Sequence, residues 1–67
     1  MELSARNQLK GTVTKVTIGN VMAEVHVQIG GNELVSVITR GSVERLAIKV
    51  GDAVTAIVKA TEVMLGK

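Results

Sequence analysis

The 67-residue chain has no cysteine, no proline and no aromatic residue, and its only histidine is His26. Each absence removes a class of explanation. Without cysteine there is no disulfide, no thiolate metal ligand and no thiol nucleophile. One histidine cannot make a structural zinc site unaided. Without Phe, Tyr or Trp the core lacks its largest apolar groups, and no platform exists on which nucleic-acid bases could stack. Without proline no strand has its ladder interrupted on that account. The net charge is only +2, and its basic residues are scattered, so no polyanion-binding stripe is indicated. No apolar stretch approaches the ~20 residues that span a bilayer. The start, Met1-Glu2-Leu3-Ser4, has neither the basic nor the apolar region of a signal peptide, so the expected location is cytoplasmic.

What the chain does have is aliphatic surface. Hydrophobic residues make up 46% of it, yet a domain of this size buries only about 60% of its unfolded surface. So much Val, Ile, Leu and Ala on so short a chain predicts burial between subunits, hence a homo-oligomer.

The hydrophobic pattern predicts strands almost throughout. Val21, Ala23, Val25, Val27 and Ile29 alternate with Met22, Glu24, His26 and Gln28, the period of a half-buried strand. A strand over Lys10 to Ile18 precedes it, joined by a Gly19-Asn20 turn where positive φ is easy. Gly30-Gly31-Asn32 is a second turn. The third strand, Glu33 to Arg40, has apolar residues on both faces, as a central or interface strand does. Ser42 is the expected N-cap of a short helix carrying Val43, Leu46 and Ala47. After a turn at Lys49-Val50-Gly51-Asp52, a strand over Ala53 to Ala60 and a short one near Glu62 to Leu65 are expected. The glycines read as turn residues. This order predicts an all-β fold: a small five-stranded Greek-key barrel of the oligonucleotide/oligosaccharide-binding type with one short helix. A swapped-hairpin dimer barrel and an Sm-like barrel use similar pieces.

No catalytic constellation is present. His26 shares a strand face with Glu24 and reads as a solvated or interface residue. The acids show no paired spacing for proton transfer, and the glycines form no phosphate-binding loop, so the protein is not expected to be an enzyme. Two terminal segments remain. Ser4-Ala5-Arg6 and Lys59-Ala60-Thr61 each bring a hydroxyl and a cation, and turning main chain around them can add amide donors. A site made only of donors suits a fully deprotonated tetrahedral dianion, whose oxygens only accept. The alternative is a loose N-terminal arginine and a strand-end lysine whose stem lies along apolar surface.

The strings Ser4-Ala5-Arg6-Asn7-Gln8-Leu9-Lys10-Gly11, Val37-Ile38-Thr39, Ser42-Val43-Glu44-Arg45-Leu46, Val50-Gly51 and Val58-Lys59-Ala60-Thr61-Glu62-Val63-Met64-Leu65 together resemble the molbindins, small molybdate-binding proteins. The resemblance runs in register over essentially the whole chain, so residues 1–67 read as a single molbindin (TOBE-like) domain. It implies a homohexamer, a trimer of dimers with strands exchanged between neighbours, holding molybdate or tungstate at subunit interfaces. Ser4, Ala5 and Arg6 would meet the oxyanion from one subunit, and Lys59, Ala60 and Thr61 would complete the site without direct side-chain ligation of a metal. A second class of main-chain oxyanion site is expected at Gly19, Asn20 and Val21 and around Ser42. The module also occurs in molybdate-responsive regulators and transporter ATPases. With neither a helix-turn-helix region nor a nucleotide-binding loop here, the implied role is storage or buffering of molybdate. A barrel used only for assembly is the competing reading.

Overall fold

The structure, a computed structural model, describes residues 2–67; Met1 of the N-terminal segment lies outside them. Four strands and one helix follow in the order β1 (Asn7–Ile18), β2 (Met22–Ile29), β3 (Asn32–Thr39), α1 (Arg40–Leu46) and β4 (Ala53–Val58), and a 3-10 turn (Ala60–Glu62) comes after β4. The strands form one antiparallel sheet ordered β3-β2-β1-β4. The fold is thus mostly β with one short helix, as expected, but with four strands rather than five. The segment expected to be a last strand, Glu62 to Leu65, has no sheet partner among the described residues. The preceding strand ends at Val58 because the chain turns into the 3-10 segment two residues later.

β1 organises the sheet because it is long enough to serve two ladders. Its first half, Asn7 to Thr12, pairs with β4, and its second half, from Thr12 onward, pairs with β2. Thr12 is the handover, set opposite both Gln28 and Ala53. The register shifts between Val13 and Lys15, leaving Thr14 as the extra residue of a bulge. A bulge bends a strand and increases its twist, which wraps the β4 half toward the core side. Gly11 lies inside β1, within the expected Lys10–Ile18 strand, and serves no turn. A Cβ there would stand 2.6 Å from the Gln28 carbonyl oxygen and 2.6 Å from a Val27 methyl. Only glycine allows the two backbones to approach so closely at this corner.

The alternation in β2 forms the core. Ala23, Val25 and Val27 are buried together with Val13 of β1 and Val43 of α1, with Val16, Ile29, Ile38, Ile48 and Val54 packed around them. Val21 falls outside the pattern: it lies in the turn before β2 and is 72% exposed. In β3 the inward residues Leu34 and Ile38 are half-buried, whereas Val35 and Val37 point outward and are exposed. The β1–β2 turn closes through the Gly19 amide donating to the Met22 carbonyl at 2.8 Å, with negative φ at both Gly19 and Asn20, so the expected positive φ is not used. The β2–β3 hairpin does use it, at Gly30 (φ 59°), the first central position of a two-residue turn.

The helix starts three residues earlier than expected. Thr39 is its N-cap, accepting from the Ser42 amide at 3.1 Å, and Ser42 is the capped residue rather than the cap. At the other end Ala47 adopts the left-handed conformation (φ 51°), with its amide on the Glu44 carbonyl and the Ile48 amide on that of Val43. This is the Schellman arrangement, which favours glycine. Left-handed backbone costs an L-residue about 1–2 kcal/mol, more than the ~0.5–1 kcal/mol of extra chain entropy that glycine loses on folding. Ala47→Gly is therefore expected to stabilise the protein by about 0.5–1 kcal/mol, read as a higher denaturation midpoint at fixed protein concentration. A lower midpoint would count against the cap geometry.

Candidate oxyanion site

The β1–β4 register brings the two terminal segments to the same end of the sheet. Its outermost rung sets Asn7 opposite Val58. Continued outward, the same register would face Arg6 with Lys59, Ala5 with Ala60 and Ser4 with Thr61. The ladder stops at Asn7 and Val58, and the two chains turn away there: one bends at Ser4, and the other enters the 3-10 turn after Lys59. One chain thus brings both strings to one end of one sheet, though they lie at opposite ends of the sequence.

Arg6, Lys59, Ser4, Ala60 and Thr61 are exposed, and Ala5 is half-buried. The ion pairs among the described residues join Arg40 to Glu44, Lys49 to Asp52 and His26 to Glu24 and Glu33, so neither Arg6 nor Lys59 is neutralised by a carboxylate. In the 3-10 turn the Glu62 amide donates to the Lys59 carbonyl at 2.9 Å, and the Ala60 and Thr61 amides precede that first closing bond. Beneath the site, Asn7, Leu9, Leu34, Val58, Ala60 and Val63 line a largely apolar hollow of about 340 Å³. Two unpaired cations, two hydroxyls and turning main chain give this sheet end many donors, with Glu62 the one acid of the 3-10 turn.

One contact at this end involves a residue that the sequence reading did not single out. Gln8 Nε2 donates to the Ala5 carbonyl at 3.1 Å. The only signal for it was its place in the Ser4–Gly11 string.

The second candidate position is at the other end of β1. The Arg40 amide donates to the Val21 carbonyl at 2.8 Å, which ties the β1–β2 turn to the start of α1 and brings Gly19, Asn20 and Val21 near Ser42. Several groups there are already committed: the Gly19 amide to Met22, the Ser42 amide to Thr39 Oγ1, and the Ser42 hydroxyl to the same oxygen at 2.8 Å.

His26 is remote from both positions in the fold. Its Nδ1 lies 3.0 Å from Glu33 Oε1 and its Nε2 lies 3.3 Å from Glu24 Oε1, so the ring braces β2 against β3. Among the described residues no group of three or more His, Asp or Glu could hold a metal ion. No helix there is long and apolar enough to cross a membrane.

The TOBE domain family matches residues 3–65. The chain is also 52% identical over 66 residues, 97% of each sequence, to molybdenum-pterin-binding protein 2 of Clostridium pasteurianum. This chain is a TOBE-domain protein of the molbindin family. The molbindin fold matches a molybdate-binding protein from Sporomusa ovata with a TM-score of 0.95 and 46% identity over the whole of both chains. It also matches the cytoplasmic molybdate-binding protein ModG in a molybdate-bound form, with a TM-score of 0.92 and 42% identity. That alignment covers 98% of this molbindin and 48% of the ModG chain.

Proposed function

We propose that this molbindin binds molybdate, and similarly tungstate, through Ser4, Ala5, Arg6, Lys59, Ala60 and Thr61, and that it stores or buffers the oxyanion in the cytoplasm without catalysing a reaction. The observation that carries this reading is the β1–β4 register, which gathers two unpaired cations, two hydroxyls and free main-chain amides at one sheet end. A dianion between them would relieve the repulsion of two like charges and accept from these donors. Relatives of matching length named for molybdenum-pterin binding, and a cytoplasmic relative solved with molybdate, support the same ligand and location.

The oligomer belongs to the same proposal. β3 and β4 are each paired on one side only, and between them lies an apolar cleft of about 450 Å³ lined by Leu34, Ile38, Val54, Ala56 and Val58, among others. Met64 and Leu65 are 93% and 94% exposed on an unpaired segment that leaves the 3-10 turn with extended backbone at Val63. Exchange of strands between copies, closing a five-stranded barrel, would cover both, and a homohexamer built as a trimer of dimers is the assembly we propose. A second oxyanion position would draw on the Asn20 and Val21 amides, because those of Gly19 and Ser42 are already committed.

Thermal denaturation with molybdate, tungstate, sulfate and phosphate tests the reading. A ligand at 100 times its dissociation constant adds about 2.7 kcal/mol to the native state, which for a domain this small is a rise on the order of 10 °C. Molybdate and tungstate are expected to give it, with sulfate and phosphate well behind. No shift with molybdate, or the same shift with all four anions, would overturn the proposal in favour of a barrel used only for assembly.

A further inference from the structure

The Gln8–Ala5 hydrogen bond has a geometric consequence for the candidate oxyanion site. We infer that Gln8 is a positioning residue for that site, acting through the peptide plane between Ala5 and Arg6; the inference rests on the oxyanion reading above. Gln8 is itself well anchored, on the β1–β4 ladder opposite Ile57. Ala5 has no such anchor, because it lies outside the ladder. The side chain of the anchored residue therefore holds the carbonyl of the unanchored one, Nε2 to O at 3.1 Å.

A trans peptide is planar, and its C=O and N–H point in opposite directions. The Ala5–Arg6 peptide is trans. Fixing the Ala5 oxygen against Gln8 fixes the Arg6 N–H on the opposite side of the same plane. Two effects on an oxyanion follow. The carbonyl oxygen, an acceptor that would repel the anion, is already occupied. The Arg6 amide is held in one orientation, so the anion does not have to organise it on binding. Gln8 touches no anion in this account; it sets which face of a peptide the anion meets.

The test compares the wild-type oligomer with Gln8→Met, which keeps the length of the side chain and removes its donor. Isothermal titration with sodium molybdate is expected to show about 5–10-fold weaker binding, the order expected for one hydrogen bond. The melting temperature without anion is expected to be unchanged. In 15N–1H spectra, molybdate saturation is expected to move the Arg6 amide proton far downfield in the wild type and much less in Gln8→Met. Wild-type affinity in the variant, an unchanged Arg6 amide shift, or an affinity loss matched by a lower melting temperature without anion would each overturn the positioning role. A wild-type protein that itself binds no molybdate would sink the oxyanion reading instead, so the two failures are distinct.

Discussion

Arg6→Ala is expected to weaken molybdate binding by about 10–100-fold, while His26→Ala leaves it unchanged. The first figure follows from the ~1.5–3 kcal/mol carried by hydrogen bonds to a charged group and from 1.4 kcal/mol per tenfold in affinity. Arg6 stands one residue beyond the last β1–β4 rung and has no carboxylate partner among the described residues, so its guanidinium gives up no internal ion pair to meet an anion. Arg6→Lys should recover only part of the loss, because an ammonium cannot reproduce a planar fork of donors. Lys59→Ala should fall in the same range as Arg6→Ala. His26 is the fitting control: its ring is held by Glu24 and Glu33 on a different part of the sheet. Isothermal titration reads all four variants. A larger loss from His26→Ala than from Arg6→Ala would mean that the site lies elsewhere.

Gly11→Ala is expected to cost about 2–3 kcal/mol of folding stability, from overpacking at a crossing that cannot open locally. The added methyl meets a backbone oxygen and two side chains of β2 at once, the Gln28 carbonyl, Val27 and Ile29, all under 3 Å. For a chain of this length total stability is about 3–10 kcal/mol, so the loss is a large share of it. Gly31→Ala is the control, since a Cβ there meets nothing within 4 Å and its φ is not positive. Denaturant midpoints at a fixed protein concentration should separate the two variants clearly. Equal midpoints would show that the β1–β2 crossing relaxes at little cost.

Much of this arrangement was legible in the sequence, and the misses share a cause. The Val21–Ile29 alternation gave β2 and most of the core because side-chain period alone decides which face is buried. Gly30-Gly31 marked its hairpin because positive φ selects glycine. Gly11 falls within the expected strand, but its role does not show, because nothing local separates a turn glycine from one that admits a neighbouring strand; that need exists only once β1 and β2 are paired. The helix start was missed for a similar reason. Thr39 and Ser42 both carry a capping hydroxyl, and only the β3 register, which ends with Thr39 opposite Met22, decides between them. The two site strings stand out in the sequence as donor-rich segments because each sets a hydroxyl beside a cation. Their arrival at the same end of one sheet is not legible there, because it depends on which strand β1 pairs with in its first half.

That first half of β1 has one more consequence. Strand ends fray, and the Asn7–Val58 rung is the one most exposed to it. An anion gripped by the residues just beyond that rung would act as a clasp on the open end of a zipper. Holding the ligand and keeping the two strands together would then be a single equilibrium, so that whatever loosens the clasp also releases the cargo.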